Sequence, residues 1–184
     1  MAIAFESRVT GNPCTALLDW LDWNGIDHAI HEHAPAFTAL DTAREEGVDP
    51  VTFAKVVVVG ASDGGRALIV LDAFDQVDLR KVGRLLGDPR ARLLTELELA
   101  DLAPDCEVGA LPAVGGLFGL STYADIAVRD ARRISFNAGT HVHSVRVDRR
   151  AWERAAAVTY ADLVRSPGAQ LGYVPLFDLF GPAD

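Results

Sequence analysis

Only two of the seventeen basic residues are lysines, Lys55 and Lys81; the others are arginines. Lys55 follows Phe53-Ala54 and opens an unbroken run of valines, Val56 to Val59. Such a run predicts a buried strand. A lysine at the mouth of a buried strand is costly unless it meets an anion or reaches water along its own stem. On the rim of a cleft, its compact ammonium could hold a phosphate or polarise a carbonyl. The second chemical candidate is the stretch 104–120, rich in Gly and Pro and without periodicity. A loop of that length in a compact domain is often functional. Gly109 would let backbone N–H groups approach a developing oxyanion, and Pro112 would stiffen the loop. Taken alone, both residues also fit ordinary turn chemistry. Phe37 and Leu111 are expected as walls of a small apolar pocket, although Phe37 fits a core position equally well.

No Ser-His-Asp or Cys-His order supplies a protein nucleophile. Cys106 adjoins the loop, but Asp105 and Glu107 beside it should raise its pKa, so it reads as a packing residue. Cys14 and Cys106 make no metal pattern and look like reduced thiols of a cytoplasmic protein. His31 and His33 share a strand face, as do His141 and His143. No cysteine or carboxylate spacing completes a zinc site from them, so neither a metal nor another cofactor is expected, and His143 reads as a half-exposed strand residue.

These residues need elements to hold them. Asn12-Pro13 predicts a helix start and Gly25 its stop, with Leu17, Leu18, Trp20 and Leu21 on the apolar face. Residues 26–33 alternate as a strand. Phe37-Thr38 opens a short helix over 39–46, closed by Gly47. The valine strand 54–59 turns at Asp63-Gly64-Gly65 into a partner strand, 67–71. Asp78 starts a helix with Leu79, Val82, Leu85 and Leu86 on its apolar side, ending at Gly87. Thr95 and Glu98 form a capping box for the next helix. Strands are predicted at 125–128, 134–137 and 142–147, and a helix over 150–164. The tail after Pro167 carries the aromatic pattern YVPLFDLFG. The mixture predicts an α+β or mixed α/β fold, a single domain with a central mixed sheet flanked by helices.

At 184 residues the chain fits one domain with a sizeable core. No apolar run approaches the ~20 residues that span a bilayer, and the N-terminus lacks the basic and apolar regions of a signal peptide. The net charge of −9 argues against broad nucleic-acid binding, DNA included. The charge is uneven: residues 80–92 hold Arg80, Lys81, Arg84, Arg90 and Arg92 against Asp88, and 129–150 holds six arginines against Asp130 and Asp148. These islands could meet a phosphate backbone or be solvated faces.

Six segments together resemble the YbaK/prolyl-tRNA-editing family of aminoacyl-tRNA deacylases. They are HEHAPAFTALDTA (31–43), FAKVVVV (53–59), QVDLRKVGRLLG (76–87), ARLLTELELADL (91–102), CEVGALPAVG (106–115) and FNAGTH (136–141). The resemblance covers about residues 16–147. It implies a YbaK-like fold over 1–150, with 151–184 as a C-terminal helix and tail packed on the same domain. It also implies hydrolysis of the ester between a mischarged amino acid and the terminal adenosine of a tRNA, here by a free-standing protein. Lys55 matches the family's functional lysine, and Gly109 and Pro112 its substrate loop. His141, after Asn137-Ala138-Gly139, stands where some members place a polar site residue.

The sequence departs from the family at Asp72-Ala73-Phe74-Asp75, where Pro-Ala-Asp is common, and in its Gly-Ala-Leu-Pro spacing. Both bear on amino-acid specificity. The expected roles are therefore Lys55, Gly109 and His141 as catalytic residues and Phe37, Thr38, Leu111, Pro112 and Gly139 as substrate contacts. Arg80, Lys81 and Arg84 are expected on the tRNA. The expected partners are the acceptor end of an aminoacyl-tRNA and an aminoacyl-tRNA synthetase, with alanine, serine or cysteine removed. A non-catalytic module that binds tRNA or a synthetase is the alternative, and a hydrolase of another small ester a third reading.

Overall fold

The computed structural model describes residues 11–165. The element order is α1 (Thr15–Trp23), β1 (His28–Glu32), α2 (Ala39–Glu45), β2 (Ala54–Gly60), β3 (Arg66–Asp72), α3 (Leu79–Leu86), β4 (Arg92–Leu93) and α4 (Glu96–Leu102). It continues with β5 (Ser121–Asp125), β6 (Arg133–Thr140), β7 (His143–Asp148), α5 (Arg149–Ala155) and β8 (Thr159–Ala161). The strands form two sheets: a mixed one in the order β4-β2-β3-β5-β8 and an antiparallel one in the order β1-β7-β6. A single bridge between Phe53 and Ser135 joins them where β2 begins.

The valine run becomes β2, paired antiparallel with β3 from Ala54 opposite Asp72 to Gly60 opposite Arg66. Its two faces serve two cores, as the strand's period of two dictates. Ala54, Leu68 and Val70 join Phe136, Val145, Leu17, Leu21 and Trp152. Val59, Ile69 and Leu71 pack on Val82 of α3. Helix α3 starts where expected, with the Asp78 carboxylate accepting from the Arg80 and Lys81 N–H groups, and Gly87 ends it at φ 71°. The Thr95/Glu98 capping box forms in full.

Four expectations are corrected. Helix α1 begins at Thr15, not after Asn12, because the Cys14 N–H is drawn to Ala138 O at 2.7 Å. The strand expected at 125–128 lies earlier, at Ser121–Asp125: the Asp125 carboxylate accepts from the Ala127 N–H and starts a 3₁₀ turn over Ile126–Asp130. The helix expected over 150–164 stops at Ala155. Ala157 turns to φ 49°, and Thr159-Tyr160-Ala161 pairs as a parallel strand with β5 instead. His143 is 6% exposed, not half-exposed, with Nδ1 against the Thr140 hydroxyl at 2.9 Å. The pattern YVPLFDLFG lies outside the described residues. Among those described, no helix is long and apolar enough to cross a membrane.

Candidate functional site

The edge of β2 is closed over only part of its length. Strand β4 pairs with Val59 and Gly60, and the Leu94 N–H donates to Val58 O at 3.0 Å. Backbone groups alternate along a strand, so the N–H and C=O of Val56 point to the same side as those of Val58. At Val56 no strand covers that side. A cavity of about 320 Å³ opens there, lined by Ala54 to Val57, Phe37, Thr38, Gly109 and Leu111 among others. A second chamber of about 190 Å³ shares Val56, Val57, Gly109 and Leu111 with it and continues between Val58, Leu93, Leu94 and Leu99. Its side chains are all hydrocarbon.

Lys55 stands at the entrance. Its ammonium donates to the Asp75 carbonyl, which leaves two of its three N–H donors for the cavity. Burial pushes its pKa down, and the Asp75 carboxylate offsets this only in part. The group therefore gains from an anion that a ligand brings.

Gly109 faces it across the cavity with φ 91°, a conformation that favours glycine. Among the described residues the N–H groups of Gly109 and Leu111 have no acceptor, so both remain free to donate. The loop is held from behind. Gly139 N–H donates to Ala110 O at 3.0 Å, and Trp152 Nε1, fully buried in α5, donates to Ala113 O at 2.7 Å. The helix that follows β7 thus anchors the loop expected to bind substrate.

His141 is placed differently from its expected catalytic position. Its Nδ1 lies 3.2 Å from Ala36 O, its Nε2 3.0 Å from Val108 O, and its backbone N–H donates to Glu107 Oε2 at 2.6 Å. The ring stacks at a tilt on Phe37, centroids 4.8 Å apart, and lies off the cavity wall. With both nitrogens turned to carbonyls, His141 braces the Ala36-Phe37 segment against the Gly109 loop and has no free lone pair for a water.

The other expected site residues divide. Phe37 and Thr38 reach the cavity. Phe37 is 74% exposed and so is no core residue; Thr38 caps α2, its hydroxyl accepting from the Asp41 N–H. Pro112 is buried and Gly139 packs on Cys14, both behind the wall. On α3, Arg80 and Arg84 are exposed, whereas Lys81 is tied to Asp162 Oδ1 at 2.6 Å and Val164 O at 2.7 Å. It pins the segment after β8. The second basic island is also partly engaged, with Arg149 on Glu153 and Ala131 O, and Arg129 over the Tyr160 ring at 4.4 Å.

Sequence reasoning passed over Asp72. It ends β3 opposite Ala54, 5% exposed, and burial first, then Asp75, Asp125 and further acids, push its carboxyl up to about 7. The signal was available in an acid closing an apolar strand, within a segment already marked as a departure.

The model of the aminoacyl-tRNA editing domain family matches residues 33–155, and the chain belongs to that family. The fold recurs in solved structures of low identity. One is described as a candidate trans-editing enzyme for prolyl tRNA synthetase: 22% identical, TM-score 0.73, with 83% of this chain and 97% of that chain covered. Another is hypothetical protein APE2540, 19% identical, TM-score 0.74, with 82% and 99% covered. A third is a scaffold from work on epitope backbone grafting, 22% identical, TM-score 0.71, with 83% and 97% covered. At these identities they bear on the fold alone. No curated protein matches the chain significantly.

Proposed function

We propose that this protein hydrolyses the ester of a mischarged aminoacyl-tRNA, acting in trans on the acceptor end. The observation that carries the reading is the convergence of the Lys55 ammonium, the free edge of β2 and the Gly109 loop on one cavity in an aminoacyl-tRNA editing domain. The exposed Phe37 ring at the mouth offers a stacking surface for the terminal adenine. Lys55 anchors the adjacent phosphate with its two unused donors. The aminoacyl group lies along the open edge, where the Val56 C=O can accept from its ammonium.

A water then attacks the ester carbonyl. The N–H groups of Gly109 and Leu111 receive the oxyanion, and collapse of the tetrahedral intermediate breaks the bond to the ribose oxygen, which takes up a proton. Preorganised donors of this kind are worth several kcal/mol, and fixing the ester against the water contributes further. His141 is a positioning residue, since it holds the two walls in register without touching the ester.

The hydrocarbon chamber beyond Leu111 receives the amino-acid side chain. Its side chains offer no partner for a hydroxyl, so alanine and cysteine fit it better than serine. Arg80 and Arg84 approach the acceptor stem, and a prolyl-tRNA synthetase is the kind of partner that produces such mischarged tRNAs. The decisive experiment is deacylation of a panel of charged tRNAs. The reading expects turnover of one or more small aminoacyl esters, with the alanyl and cysteinyl esters ahead of the seryl ester. Tight binding without turnover of any ester would overturn hydrolysis in favour of a binding module.

A further inference from the structure

Two thiols meet beneath the loop of the site, outside its cavity. Cys14 stands directly before α1 and is 8% exposed; Cys106 begins the turn that leads to Gly109 and is half-buried. They are far apart in sequence and are brought together by one backbone segment. The Cys14 N–H donates to Ala138 O at 2.7 Å, and the Glu107 N–H donates to Gly139 O at 2.8 Å. A Cβ placed on Gly139 would lie 2.6 Å from Cys14 Cβ and 3.4 Å from Cys106 Sγ. The bare glycine, at φ 90°, is what leaves room for the two side chains to meet.

Cys106 packs against the core cluster that contains Cys14. The neighbouring Cys106 thiol foremost, then the backbone N–H groups of Leu17 and Ala16, bring the Cys14 thiol down to about 6 against the opposing effect of burial. Cys106 moves up, because it donates to Cys14 and is buried beside it and Asp105. Lowering one thiol and raising the other is the division that favours attack by the first sulfur and resolution by the second.

We propose that Cys14 and Cys106 form a dithiol modification site that a hydroperoxide converts into an intramolecular disulfide. The Cys14 thiolate attacks the terminal peroxide oxygen, the O–O bond breaks, and the departing alkoxide or hydroxide takes a proton and leaves as alcohol or water. Cys14 becomes a sulfenic acid. The Cys106 sulfur then displaces its hydroxyl, which leaves as water with the Cys106 proton. Two thiols are oxidised to one disulfide, and one peroxide is reduced.

The new bond sets the sulfurs ~2.05 Å apart, closer than two hydrogen-bonded thiols, and so draws the base of the Gly109 loop toward α1. Resting on the editing reading, this displacement slows ester hydrolysis about tenfold, since small misplacements of a catalytic loop are costly. Dithiothreitol restores it.

The test treats the folded full chain with one equivalent of hydrogen peroxide and counts thiols before and after. The expected result is loss of both titratable thiols and of two hydrogens by intact mass. Digestion should yield one cross-linked peptide pair joining Cys14 to Cys106, absent after dithiothreitol and absent in Cys14→Ser and Cys106→Ser. Both thiols surviving peroxide, oxidation to sulfinic or sulfonic acid without a cross-link, or linkage only between chains would each overturn the proposal. The thiol count needs no tRNA, so its failure is separate from any failure of the deacylation assay.

Discussion

Along β2, Val58 to Gly60 are flanked on both sides, by β3 and by β4, whereas Ala54 to Val57 are flanked by β3 alone. Apart from Lys55, both halves are small apolar residues. One half is sheet interior and the other is the wall of a cavity, and the difference comes from the partner: β4 is two residues long and stops at Val59. The two lysines repeat the contrast. Lys81 has found its acceptors at Asp162 and Val164, while Lys55 donates to one carbonyl and keeps donors in reserve. A site here is the place where the chain's own hydrogen-bonding capacity has been left unfilled.

Breaking the open half should have the largest effect. Lys55→Ala should lower deacylation about a hundredfold, comparable with the loss of one oxyanion-hole donor. Stability should change by under about 1 kcal/mol, since a partly desolvated charge gives up little on removal. Near-normal turnover would move the site elsewhere. Gly109→Val comes next: a β-branched residue at φ 91° is strained by about 1–3 kcal/mol. We expect at least tenfold slower hydrolysis with a lowered melting temperature, and unchanged turnover would make the loop structural only. His141→Ala should cost less, several-fold in kcat on both tRNA and a minimal aminoacyl-adenosine, because it removes a brace and no reacting group. A loss as large as that of Lys55→Ala would return it to the chemistry.

The closed half should answer with stability instead. Lys81→Ala should leave hydrolysis of the minimal substrate unchanged and cost about 1 kcal/mol in denaturant unfolding. By contrast, charge reversal of Arg80 and Arg84 together should weaken tRNA binding with a shallower salt slope, again sparing the minimal substrate.

An effect on stability alone, and on its pH dependence, concerns Asp72. Its folded pKa, about 7, lies above that of the unfolded chain, so the folded protein keeps a proton that the unfolded chain releases. Stability present below about pH 4 is lost as the pH rises toward 7. Asp72→Asn should raise stability at pH 8 by about 2 kcal/mol and change little at pH 4, as read by urea unfolding at the two values. A stabilisation independent of pH would point to packing rather than proton linkage.

What was legible in the sequence was whatever depends on neighbours along the chain. The valine strand, its hairpin turn, the Asp78 and Thr95 caps and the Gly87 stop all follow from local rules and stand in the structure. The misplaced elements were decided by distant partners. Helix α1 starts late because Ala138 takes the Cys14 N–H, and β8 replaces a helix because β5 offers it a parallel edge. At the site, Lys55 stood out by its rarity among arginines and by its place before an apolar run. Sequence could not show that both nitrogens of His141 face carbonyls, or that Lys81 meets Asp162, which lies far along the chain.

The unpaired stretch of β2 has a consequence for how the protein behaves in crowded solution. An uncovered strand edge followed by valines is a template on which another chain can add a strand. Lys55, at its start, places a charge where an incoming strand would have to bury it. The side chain proposed to hold a phosphate would thus also disfavour strand addition by a second copy of the protein. Removing it should leave a variant that aggregates more readily on long storage even while it remains folded.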